Sequence, residues 1–195
     1  VKDAANKTIF KQDARELVDF VPLRGNVLPA RAFITIGLDQ DPGTYNCTIT
    51  VEDPKTKGTS SINTKFEVAK KDFGIVAVYT THDERGAISA PTVGAVGQTI
   101  FIQFSVASFQ RDPKTKQPNV EFEFQILDEK GNPTLPKPRT HVQDMGVEEK
   151  EGAFAMRFPL FMSRPGKFTV RVTATDRVAN KKAVYDLPVT VLGNN

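Results

Sequence analysis

Enzyme chemistry near neutral pH usually draws on a histidine, an activated thiol or clustered carboxylates. This 195-residue sequence has two histidines and one cysteine. His82 sits in the charged run Thr80-Thr81-His82-Asp83-Glu84-Arg85-Gly86, and His141 in a proline-rich stretch. Neither falls in a His-x-x-x-His or Cys-x-x-Cys spacing, which would place two zinc ligands together. Cys47 has no partner for a disulfide within the chain. It lies in Tyr45-Asn46-Cys47-Thr48-Ile49-Thr50-Val51, where apolar side chains fall on every second residue, so it reads as a small core hydrophobe on a half-buried strand. No Gly-x-Ser-x-Gly elbow is present. Gly94-Ala95-Val96-Gly97-Gln98 lacks the Gly-Lys-Ser/Thr ending of a phosphate loop. One acidic pattern could hold calcium: Asp39 and Asp41 precede a Pro-Gly turn, and Asp53 and Asp176 close two matching strands. Calcium needs six to eight oxygens, whereas an aspartate at a strand end more commonly caps the turn through its own side chain. The expectation is a protein with no catalytic residues, no cofactor and no metal, Asp39 and Asp41 being the calcium candidates.

The elements that would position these residues are organised by internal similarity. Residues 42–53, Pro-Gly-Thr-Tyr-Asn-Cys-Thr-Ile-Thr-Val-Glu-Asp, align without gaps on residues 165–176, Pro-Gly-Lys-Phe-Thr-Val-Arg-Val-Thr-Ala-Thr-Asp, at an offset of 123. The offset continues through a second run, where Ile62, Phe66 and Val68 fall on Tyr185, Val189 and Val191. Upstream, with one inserted residue, Ala32, Ile34, Ile36 and Leu38 fall on Phe154, Met156, Phe158 and Leu160. A one-residue slip would turn every side chain to the other face, so agreement in parity implies the same strands in the same sheet. Pro-Gly predicts a type II turn, which needs a positive φ at the glycine. Each copy then reads as a β-hairpin. The connector Asp-Pro-Lys-Thr-Lys occurs at 53–57 and again at 112–116, between the runs 98–109 and 120–127, and predicts a hairpin at both places.

Strands are expected at about 74–81, 87–93, 98–109, 119–128, 153–161, 167–175 and 182–192. Seven short strands over about 120 residues is the pattern of an antiparallel β-sandwich. Residues 131–152, rich in proline and charge, read as a long surface loop or an irregular edge. Helical spacing is confined to Ala14, Leu17, Val18 and Val21. The fold class is therefore all-β: two sandwich modules in tandem, at 1–71 and 72–195. The first lacks counterparts of the early strands of the second. Three explanations stand open: the chain is a fragment, a neighbouring molecule supplies strands, or residues 1–30 cover the open face.

The motif Pro-Gly-x-(Tyr/Phe)-x-x-x-(Val/Ile)-x-(Val/Ala)-x-Asp at 42–53 and 165–176 resembles the late strands of bacterial immunoglobulin-like domains of the PKD and fibronectin type III kind. About 27 residues in each copy carry the resemblance, and the long stretch after Leu127 departs from it. It implies extracytoplasmic, tandemly arrayed domains used as spacers, adhesion modules or accessories to enzymes, with no shared catalytic residues.

Composition agrees with such a role. Apolar residues make up 39% and charged residues 25%, enough for both a core and a wet surface. Residues 1–72 carry 11 basic and 10 acidic side chains and residues 73–195 carry 15 and 13, so no basic face for nucleic acid stands out. No apolar run approaches the ~18 residues that cross a bilayer. The sequence opens at Val1 without a signal-like segment, so a targeting peptide is expected to be cleaved or absent. The expected function is a non-enzymatic structural or protein-interaction module. Its partners would be another protein, neighbouring domains of a longer chain, or a strand-swapped second copy. The alternative is a carbohydrate-binding accessory module, which the lack of tryptophan and the three tyrosines disfavour.

Overall fold

The computed structural model describes residues 1–16, 34–37 and 39–193. They divide into two units, Val1–Lys71 and Asp72–Asn195.

In the first unit, β1 (Gly43–Glu52) and β2 (Thr59–Val68) form a two-stranded antiparallel sheet. Lys2 adds an isolated bridge to the outer edge of β1 through reciprocal amide–carbonyl bonds with Asn46 of 2.8 and 2.9 Å. Tyr45 and Cys47 are buried, and the Tyr45 ring stacks on Phe66 at 5.6 Å. Further along the same face Val51 and Ile62 are 59% and 67% exposed. Residues 34–37 are irregular and Ile36 is 41% exposed, so the strand expected around Ile34 and Ile36 does not form there. Ala32 and Leu38 lie outside the described residues, as do Leu17, Val18 and Val21 of the expected helix.

The second unit is a β-sandwich. One sheet has the order β3 (Gly74–Thr81), β5 (Thr99–Ala107), β8 (Ala153–Phe161). The other has the order β4 (Val93–Ala95), β10 (Lys181–Leu192), β9 (Gly166–Asp176), β6 (Val120–Leu127), β7 (Arg139–Gln143). The small sheet joins β3 and β5 to the later β8, and the late hairpin β9–β10 lies inside the large one. That strand order is immunoglobulin-like. Alternate residues from the two sheets fill the space between them: Ile100, Ile102, Phe104 and Val106 on one side, Val120, Phe122, Phe124, Val170 and Val172 on the other. Phe124 stacks on Phe158 at 4.6 Å, and Phe104 meets Phe122 edge-on at 5.9 Å. Burying an aromatic ring removes the largest apolar area available to any side chain, and paired rings add about 0.5–1.5 kcal/mol beyond that.

The hairpins of the two units share one register. Gly43 pairs Val68, and Gly166 pairs Val191. Tyr45 pairs Phe66, and Phe168 pairs Val189. Each pair of the first ladder lands on a pair of the second when both partners move by 123. The cross-strand hydrogen bond from Thr48 Oγ1 to Asn63 Oδ1 (2.7 Å) has its positional counterpart in the ion pair of Arg171 with Asp186, made through two bonds of 2.8 and 2.7 Å.

Several expectations need correction. Gly43 and Gly166 have φ of 153° and 139°, well past the ~80° of a type II turn, though still in a region that only glycine enters readily. No strand occupies 87–92. Pro91 supplies no amide to a ladder, so this segment makes only a bridge from Ser89 to Thr81 before β4 begins. β4 then pairs β10 in parallel, so the unit is not wholly antiparallel. The connector at 112–116 does not join a hairpin: β5 and β6 belong to different sheets. Its turn closes locally, with one bridge from Arg111 to Pro118, while Ser108 at φ 59° ends β5 early. Finally, the stretch 131–152, read as a long surface loop or an irregular edge, contains β7, which is an edge strand of the large sheet. Four of its five residues are exposed and the fifth is half-buried, so it has no buried face to impose alternation on its sequence.

Candidate functional site

The residues with chemical potential sit on different elements of their units. His82 is exposed in the β3–β4 connection. His141 is on β7, not in a loop, with its exposed ring 6.4 Å from that of Phe122. Cys47 is a buried free thiol. Asp39 and Asp41 are exposed, and Asp41 uses its backbone carbonyl to accept from the Tyr45 hydroxyl at 2.6 Å. Among the described residues no three His, Cys, Asp or Glu side chains gather closely enough to hold a metal ion.

The aspartates at strand ends cap turns. Asp53 Oδ1 accepts from the Lys55 amide at 2.9 Å, Asp112 Oδ1 from the Lys114 and Thr115 amides at 2.8 and 2.9 Å, and Asp128 Oδ1 from the Lys130 and Asn132 amides at 2.9 and 2.8 Å. Asp83 does the same for Ala87 and Ile88. These bonds are stronger to the charged form than to the neutral acid, so they hold the four carboxyls below the usual aspartate range: Thr56 hydroxyl first for Asp53, and backbone amides first for the other three.

The feature best suited to recognition lies along β8. This nine-residue strand pairs β5 on one side and, among the described residues, no strand on the other. Its core side chains alternate with exposed Ala155, Arg157, Pro159 and Phe161. Proline in a paired strand is accommodated where its missing N–H would face solvent, so Pro159, opposite Phe101, marks an interruption on the free edge. Beside the second half of β8 the two sheets part into an open groove of about 740 Å³. Phe158, Leu160, Met162, Val189 and Val191, all buried, form its floor, and Arg139, Arg164 and Phe161 stand around it. The Arg164 guanidinium lies 5.0 Å from the Phe168 ring centre, which orients it by cation–π attraction. Among the described residues no carboxylate lines the groove. Its volume is within the range of known ligand sites, and its mix of apolar floor and few polar groups is typical of them.

Sequence reasoning missed two other positions, Arg111 and Arg139, and the burial of a third, Asp176. Arg111 donates from Nη1 to the carbonyls of Lys116 (2.7 Å) and Val147 (3.2 Å), and from Nη2 to those of Glu148 (2.5 Å) and Glu151 (2.8 Å). It thereby fastens the β7–β8 connection to the β5–β6 connection. Nothing in the sequence marks that role, because the acceptors are backbone. Asp176 is wholly buried, unlike its counterpart Asp53, and accepts from the amides of Gln110, Val178 and Ala179 at 2.7, 2.9 and 3.1 Å. Arg139 belongs to the groove only because β7 forms. The exposed aromatics of the small sheet, Tyr79 and Phe161, sit on different strands at separate rows and make no line of three.

No helix among the described residues is long and apolar enough to cross a membrane. No family model matches the chain, and no curated protein matches it. Among solved structures it is similar to a family 123 glycoside hydrolase from Clostridium perfringens, at 11% identity and a TM-score of 0.39 over 52% of this chain and 22% of that one. It is also similar to a CARDB domain from Pyrococcus furiosus solved with di-metal ions, at 13% identity and 0.36, over 63% and 94% of the two chains. The soluble domain of PmoD from Methylocystis gives 13% identity and 0.34, over 60% and 90%. At these scores the likenesses add nothing to the strand order: the second unit is an immunoglobulin-like sandwich on its own topology.

Proposed function

We propose that the chain is a non-catalytic, extracytoplasmic structural and protein-interaction module of a bacterial envelope or secreted protein, of the PKD or fibronectin type III kind. Its second unit takes an extended segment of a protein partner along the free edge of β8. The observation that carries this reading is the nine-residue β8 edge, which has no neighbour among the described residues in a three-stranded sheet. Exposed edges are the place where sheets accept an added strand, with backbone bonds giving affinity and alternate side-chain pockets giving selectivity. The dispersed histidines and carboxylates favour binding over catalysis as its work.

A titration of the ¹⁵N-labelled chain with a capped decapeptide of alternating threonine and valine tests it. Binding should move the amide resonances of Ala155, Arg157 and Phe161 and slow their exchange with solvent. A peptide that leaves these amides unmoved at millimolar concentration, or that acts only on β7, would refute the reading.

A further inference from the structure

Resting on that reading, we infer that the partner strand carries an acidic side chain among its apolar ones, and that its carboxylate is received by Arg139 and Arg164 at the groove. Four of the seven arginines of the second unit are engaged within it. Arg157, Arg171 and Arg177 each have a carboxylate partner: Glu84 at 2.6 Å, Asp186 at 2.7 Å and Glu121 at 2.8 Å. Arg111 is saturated by four carbonyls. Arg85, Arg139 and Arg164 have neither side-chain ion pair nor side-chain hydrogen bond among the described residues, and of these three Arg139 and Arg164 line the groove, as its two charged residues. Two cations without a partner among the described residues, set over an apolar floor, attract a ligand that brings a carboxylate. Guanidinium groups match a carboxylate through parallel N–H bonds. Arg164 is already held against Phe168, so ordering it on binding costs less than ordering a free side chain. Successive side chains of an added strand point to opposite faces. Those on the core side would reach the groove at every second residue, apolar ones over Leu160 and Met162 and the acidic one at the arginines. A basic partner would meet repulsion at the same place, so the groove selects by charge as well as by shape.

The test compares three decapeptides: the threonine–valine probe with one valine replaced by glutamate, the same peptide with lysine there, and the same with glutamine. The glutamate probe should bind at least tenfold more tightly than the lysine probe. Arg139→Gln/Arg164→Gln should abolish that preference, and raised salt should erode it in the unaltered protein. Equal binding of all three with shifts along β8 would overturn the acidic requirement and leave the edge reading standing. If none of the three binds, edge and acidic requirement fall together. If decanoate fills the groove while every peptide is ignored, the site belongs to a small amphiphile and the inference is also overturned.

Discussion

Asp53 and Asp176 end equivalent strands and hold equivalent turns: the first accepts from the Lys55 amide and the second from the Val178 amide, both at 2.9 Å. The residue four beyond each aspartate has a positive φ, 59° at Lys57 and 53° at Asn180. What separates them is solvent, for Asp53 is exposed and Asp176 is wholly buried.

That difference sets unequal costs. Asp176→Ala leaves the amides of Gln110, Val178 and Ala179 without their acceptor inside the protein, and should destabilise the second unit by about 3 kcal/mol. Asp53→Ala exposes its amides to water instead and should cost the first unit less than about 1 kcal/mol. Urea unfolding followed through the amide resonances of each unit separately gives both values, and comparable costs at the two sites would contradict this account.

Cys47 should act as packing, not as a reactive thiol. Cys47→Ser places a hydroxyl in the same buried position and should lower stability by about 1–3 kcal/mol. In the native protein a thiol-disulfide reagent should modify Cys47 slowly, with the rate rising as urea unfolds the first unit. Rapid stoichiometric modification without denaturant would show that the thiol is open to solvent.

Arg111 ties down a connection it does not belong to. Arg111→Lys keeps the charge but replaces a planar fork reaching four carbonyls with a single ammonium. Amide exchange over 144–152 should accelerate at least tenfold in this variant, while the Val170 and Val172 amides of the central strand stay protected. Unchanged exchange in 144–152 would mean the other anchor, Gln117 bonded to both the amide and carbonyl of Val147 at 3.0 and 3.2 Å, suffices.

Acid should loosen the turns before the sandwich. Asp53, Asp83, Asp112 and Asp128 are held below their ordinary value, so the folded protein binds these protons less readily than the unfolded chain. Their contribution is complete above the unfolded value of about 4 and is lost as pH falls through the lower folded values. The melting temperature should therefore stay level from neutrality down to about pH 5 and decline below about pH 4. A protein that gained stability on acidification over that range would have the opposite linkage.

Where a strand buries one face, its residues announced it. Phe154, Met156, Phe158 and Leu160 alternate, and β8 has the bounds that alternation predicts. The hairpin at 42–68 was legible for the same reason, together with its Pro-Gly opening and aspartate close. β7 was not, because a strand wet on nearly all sides imposes no pattern. The connector at 112–116 misled because its turn is local chemistry, shared with 53–57, while the sheet to which the next strand belongs is decided by the core. The groove was invisible for a further reason. Arg139 and Arg164 are 25 residues apart and come together only through the unpredicted β7.

Pro159 constrains any visitor to that edge. A strand laid along β8 finds donors at Ala155, Arg157 and Phe161 and a gap between the last two, so sliding it by two residues trades a satisfied carbonyl for a stranded one. Indiscriminate growth of the sheet, copy upon copy, is thereby penalised, whereas a guest whose own backbone tolerates that gap is seated in a single alignment.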